Sequence, residues 1–105
     1  MTPARLGRSM PLFVVEHRHP ADRCPAGNPQ MAPYLLKILS NENAKQAGLN
    51  LVGDAVARGQ HHLYVLIEGP DEGAVRQYLG AFGQAGSLDV IPASSCEDVV
   101  ARGAC

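Results

Sequence analysis

The sequence has no apolar run approaching the roughly 20 residues that a membrane-spanning helix requires. Its longer apolar stretches, such as residues 12–15 and 63–67, are strand-sized. Neither sign of charge dominates: nine Lys and Arg stand against ten Asp and Glu, a formal net charge of −1. That balance, with the cations scattered, excludes the clustered basic footprint of a nucleic-acid or anionic-membrane binder. Nor is a secretory leader expected. Arg5 and Arg8 precede only the short run at residues 12–15, which gives way at once to Glu16, His17, Arg18 and His19, so a cytoplasmic location is expected. Three cysteines, Cys24, Cys96 and Cys105, are odd in number and do not make a disulfide framework. Glycines that could build a phosphate loop are absent too, because Gly80, Gly83 and Gly86 fall where a helix should stop. Internal repeats and low-complexity segments are lacking.

What is present is a core and many turns. Hydrophobic residues make up 46% of the 105 residues, enough to pack an interior, while charged residues reach only 18%. Eleven glycines and eight prolines favour loops over a long-helix bundle. Residues 1–10 carry no periodicity and read as a flexible N-terminal arm, with a single domain over 11–105. The run at residues 12–15 reads as a strand buried on both faces. Pro20, Pro25, Pro29 and Pro33, with Gly27 and Asn28, impose a loop, since each proline removes a backbone donor and restricts its predecessor. Met31, Leu35, Leu36 and Leu39 then fall at helical spacing. Ser40 and Asn41 can restart a short second helix that Gly48 stops.

Residues 49–57 and 62–68 read as strands joined by a hairpin at Arg58, Gly59 and Gln60. Asp71 is placed to cap a further helix, whose apolar stripe is Val75, Tyr78, Leu79 and Phe82. Residues 88–93 form a fourth strand. Ser94, Ser95, Cys96 and Glu97 resemble a capping box for a short C-terminal helix closed by Gly103. The order is β-α-β-β-α-β, an α+β ferredoxin-like sandwich. Right-handed crossovers then give an antiparallel sheet of order 4-1-3-2. Both helices cover one sheet face.

This topology gathers all four histidines at one edge of the sheet. His17 and His19, two apart in a strand, share a face about 6–7 Å apart, the spacing at which a strand offers two ligands to one metal ion. Cys24, five residues on, can fold back as a thiolate ligand. His61 and His62 arrive from strand 3; being adjacent, they face opposite ways, so at most one joins. Imidazole with thiolate suits Zn, Cu or Ni. The plainer reading of the same residues is an exposed pair of histidines, a polar turn flank and an ordinary loop thiol. Cys96, at a predicted helix N-terminus, is a different candidate, for nucleophilic or redox chemistry with Cys105 nearby. Glu97 and Asp98 oppose activation of its thiol, and the topology separates it from Cys24.

A chain of this length and order, with histidines closing strand 1, resembles the small bacterial ferredoxin-like proteins of the dimeric α+β barrel type. The resemblance covers residues 12–93 as topology, and the positions of His17 and His19 are similar to those of metal-binding members. Members of that group bind nickel or haem, or act as small monooxygenases. The loop holding Cys24 and the tail around Cys96 depart from the pattern. The resemblance implies a homodimer packed sheet against sheet, which the apolar Leu12, Phe13, Val14 and Val15 also favour. Two functions follow as expectations. One is a metal-binding protein using His17, His19 and Cys24 with His61 or His62. The other is a cofactor-free barrel enzyme or small-ligand module in which His17 or His19 acts as general base.

Overall fold

Alternating burial along β1 (Leu12–Arg18) sets the inside of the fold, with Phe13, Val15 and His17 buried and Leu12, Val14 and Glu16 half-buried on the reverse. The strand is therefore buried on one face, not on both as the apolar run suggested, because its second face carries no covering layer. The computed structural model describes residues 10–105, so the arm expected over 1–10 lies outside the described residues except for Met10.

After β1 the chain makes two 3₁₀ turns, Ala21–Arg23 and Pro25–Gly27. There follow α1 (Ala32–Ile38), α2 (Asn41–Gln46), β2 (Asn50–Val56), β3 (His62–Glu68), α3 (Glu72–Tyr78), α4 (Gly80–Ala85), β4 (Ser87–Ala93) and α5 (Cys96–Arg102). The four strands form one antiparallel sheet in the order β2-β3-β1-β4, the expected 4-1-3-2 order read from its other edge.

The first helical region divides where Ser40 and Asn41 are expected to restart it, and the second divides as well, which its apolar stripe does not suggest. Ser40 breaks the first helical region by taking an extended conformation and accepting the Asn43 amide on its side chain, which starts α2. The second breaks at Leu79, where the Phe82 amide donates to the Leu79 carbonyl, one residue short of α-helical spacing. The apolar stripe survives that break: Val75, Leu79 and Phe82 are all buried. Tyr78 ties the two helical regions together by donating its hydroxyl hydrogen to the Ile38 carbonyl. Asp71 caps α3 as its sequence position implies. The C-terminal helix is capped by Ser95, which accepts from the Asp98 amide, so Asp98 and not Glu97 occupies the third helical position.

The core lies between the sheet and α1–α4. Val15, Val65, Ile67, Val75 and Leu79 are its most deeply buried large side chains. In register across the inner face, Val15 pairs with Val65 and Val90, and His17 with Leu63 and Leu88. His17 is thus an extension of the apolar column, one pair from its end. Pairing slips by one residue between Leu51 and Gly53 of β2, which leaves Asp54 and Val56 opposite Val65 and Leu63.

Candidate metal centre

The end of β1 delivers His17 into the core and His19 just beyond the last ladder pair. His17 is 3% exposed. Its Nδ1 lies 2.8 Å from the carbonyl oxygen of Ser87, the first residue of β4. A carbonyl only accepts, so the proton of His17 sits on Nδ1 and its Nε2 keeps a lone pair. Nδ1 of His19 lies 3.1 Å from that Nε2 and donates to it. The two rings are tilted by 32° with centroids 5.1 Å apart. By elimination, the remaining nitrogen of His19, Nε2, is an unprotonated lone pair. It is also a buried atom with no hydrogen-bond partner among the described residues.

Two further groups converge with His19. The ligand atoms of His19, Cys24 and His61 lie within 4.8 Å of one another. His61 is brought there by the strand pairing: the His19 amide donates to the His61 carbonyl at 3.2 Å, one step past the Arg18–His62 pair. The His19 and His61 rings meet edge to face at 5.1 Å. Cys24 is held at the junction of the two 3₁₀ turns, where its amide donates to the Ala21 carbonyl. The prolines that looked like mere loop formers set this turn pair. Pro25 opens the second turn, the Asn28 amide closes it by donating to the Pro25 carbonyl, and the Asn28 side chain accepts from the Gln30 and Met31 amides just beyond. Arg23 reaches across to the Gln84 carbonyl and pins the loop to α4.

Burial favours the neutral forms of His17 and His19, which the hydrogen-bond chain between them requires. Burial lowers the pKa of His17 below its usual 6.5, partly opposed by the Ser87 hydrogen bond and reinforced by His62. For His19 burial again leads, followed by the neighbouring His17 and His61. Metal bonds of about 2.0–2.3 Å set tetrahedral ligands on the order of 3.5 Å apart. Rotations of the side chains that close the cluster by about 1 Å would therefore complete a three-donor site.

Of the five residues that sequence singled out, three converge, one stands behind them and one is elsewhere. His17 has both ring nitrogens engaged and serves as the support of His19. His62 points to the opposite face of the sheet. There Nε2 lies 3.0 Å from Glu16 Oε1, Nδ1 accepts from Arg18 Nε at 3.3 Å, and the ring stacks on Tyr64 at 4.2 Å. Adjacent residues of a strand alternate faces, which is why His61 and His62 part company. Cys24, Cys96 and Cys105 are all free thiols, and the latter two are exposed outside the cluster.

Two contributors escaped sequence reasoning. The Ser87 carbonyl is a backbone group, which residue identity does not advertise. Gly86, readable only as a helix stop, is a point of contact: a Cβ there would sit 1.9 Å from the Arg18 carbonyl oxygen and 2.9 Å from the His19 Cα. Its missing side chain lets β4 approach the end of β1 closely enough for Ser87 to hold His17. Among the described residues, no helix is long and apolar enough to cross a membrane. No family model, no curated protein and no solved structure matches this chain.

Proposed function

We propose that this protein binds one transition-metal ion of the Zn, Cu or Ni class through His19 Nε2, Cys24 Sγ and His61, with His17 orienting His19. The observation that carries this reading is the buried, unpartnered lone pair on His19, a residue whose ligand atom gathers within 4.8 Å of a thiol and a second imidazole. Leaving such an atom without a partner costs about 1–3 kcal/mol, and coordination removes that penalty. The chain from the Ser87 carbonyl through His17 to His19 supports it, because ligating histidines characteristically donate their second N–H to a group that fixes the tautomer. Three protein donors leave a fourth position for water or a ligand, the pattern of a reactive site more than a purely structural one.

The same proposal takes residues 11–105 as one ferredoxin-like domain and places it in the cytoplasm, where reducing conditions keep Cys24 a thiol. It also includes a homodimer through the outer sheet face, supported by Leu66, Val14 and Ile91. These lie in one register row across β3, β1 and β4, with Leu66 38% and Ile91 41% exposed. Sedimentation velocity of wild type and Leu66→Asp tests this part: a wild-type monomer removes it.

The deciding experiment is elemental analysis by plasma mass spectrometry on tag-free protein, desalted after exposure to Zn, Cu and Ni. One metal per chain is expected, lost in His19→Ala, Cys24→Ala and His61→Ala and retained in His62→Gln and Cys96→Ser. The general-base alternative uses the same lone pair of His19. It predicts that no metal is retained and that Cys24→Ala is silent.

A further inference from the structure

The cluster opens onto an apolar cavity of about 240 Å³, whose lining includes His19, Cys24 and His61 themselves. Its floor is formed by Leu63 of β3 and Phe82 of α4, both buried, and by the half-buried Leu35 of α1 and Leu39 just after it. Leu36 stands at the rim, 72% exposed. Apart from the histidines and the thiol, the polar side chains on the wall are Asp54 and Gln60, both exposed.

Size, charge and polarity each narrow the occupant. An apolar cavity of about 150 Å³ holds benzene, and pockets for drug-sized ligands begin near 300 Å³. A hollow of about 240 Å³ therefore suits one ring or a branched chain of similar bulk, and is too small for a nucleotide. A divalent ion with one thiolate and two neutral imidazoles leaves one net positive charge, which a singly charged anionic donor neutralises. The Asp54 carboxylate on the wall disfavours doubly charged heads such as a phosphate monoester.

Resting on the metal reading above, we infer that the cavity binds a small molecule with two parts. One is a monoanionic metal-binding head that completes the coordination at the His19–Cys24–His61 ion. The other is a single apolar ring or branched chain that lies against Leu35, Leu39, Leu63 and Phe82. The ion fixes the head, and the apolar floor selects the body.

The test uses full-length protein loaded with zinc and three probes in titration calorimetry. Benzohydroxamate carries both parts, acetohydroxamate only the head, and benzamide the ring without the metal-binding head. Burying the ring is expected to make benzohydroxamate bind roughly ten- to a hundredfold more tightly than acetohydroxamate. Benzamide is expected to bind too weakly to measure. Leu39→Phe, which fills the floor, and Leu36→Trp, which closes the rim from an exposed position, should erase that preference while leaving zinc content and acetohydroxamate affinity unchanged. Equal affinity for the two hydroxamates in zinc-loaded wild type overturns the inference and leaves the metal site standing. A preference that persists in both filled variants places the ring elsewhere and overturns it too. A chain that retains no zinc, copper or nickel instead overturns the metal reading on which it rests.

Discussion

His17 and His19 have the same side chain two positions apart, yet their neighbours give them different work. His17 spends both nitrogens inside the protein, whereas His19 spends one, keeps the other without a hydrogen bond and gathers with Cys24 and His61. Removing each should therefore have different consequences. His19→Ala deletes a donor and should abolish stoichiometric metal retention. His17→Ala leaves all three donors but frees the His19 ring to turn, and is expected to weaken affinity about 10–100-fold, the usual effect of losing a supporting group. A competition titration against a chromogenic chelator separates the two; equal losses would place His17 among the ligands. Protonation offers a second test on metal-free protein. Both imidazoles have folded-state pKa values below 6.5, chiefly through burial. As pH falls below that value the unfolded chain takes up protons first, so the stability present above it is lost on acidification. Urea midpoints should be lower at pH 5.5 than at pH 7.5, and His17→Gln should flatten the difference.

At the scale of elements, the site depends on how closely β4 can approach the end of β1. The chain leaves α4 at Gly86, whose amide donates to the Phe82 carbonyl, and enters β4 at once with Ser87 opposite Arg18. A methyl group at position 86 meets backbone, which cannot rotate away as a flexible side chain can. Gly86→Ala is thus expected to destabilise the fold by about 1–3 kcal/mol. It should also weaken metal binding by moving the Ser87 carbonyl from His17, and chemical denaturation with a parallel metal titration reports both. Gly83, three residues earlier, has only ordinary contacts for a Cβ, the nearest atom being a Leu88 side-chain carbon at 3.8 Å. Gly83→Ala should therefore leave binding intact. The helical stripe makes a complementary case: Leu79, 1% exposed at the break between α3 and α4, should lose about 2–5 kcal/mol on change to Ala.

Across the whole molecule, the metal would tie together parts that are far apart in sequence: the exit of β1, the loop of 3₁₀ turns and the hairpin before β3. Binding to the folded chain alone raises stability by about 2.7 kcal/mol at a hundredfold excess over Kd. For a chain of this size that is a rise in Tm on the order of 10 °C, which scanning fluorimetry should record for wild type and not for Cys24→Ala. The sequence by itself determined the strands, their antiparallel order and the edge where the histidines meet, because apolar runs, glycine and proline positions and right-handed crossovers are local or nearly local rules. It also told that His61 and His62 must part, since a strand alternates faces. It could not choose between them, for that depends on which sheet face the helices cover, and they cover the face of Val15 and His17. Nor could it assign His17 to a supporting role: a backbone carbonyl 70 residues away takes its proton. The helix break at Leu79 and the apolar hollow between α1, α4 and the sheet were likewise decided by tertiary packing, whereas the break at Ser40 was legible from its capping residue. A cavity is a property of the surfaces that fail to meet, and no single residue encodes it.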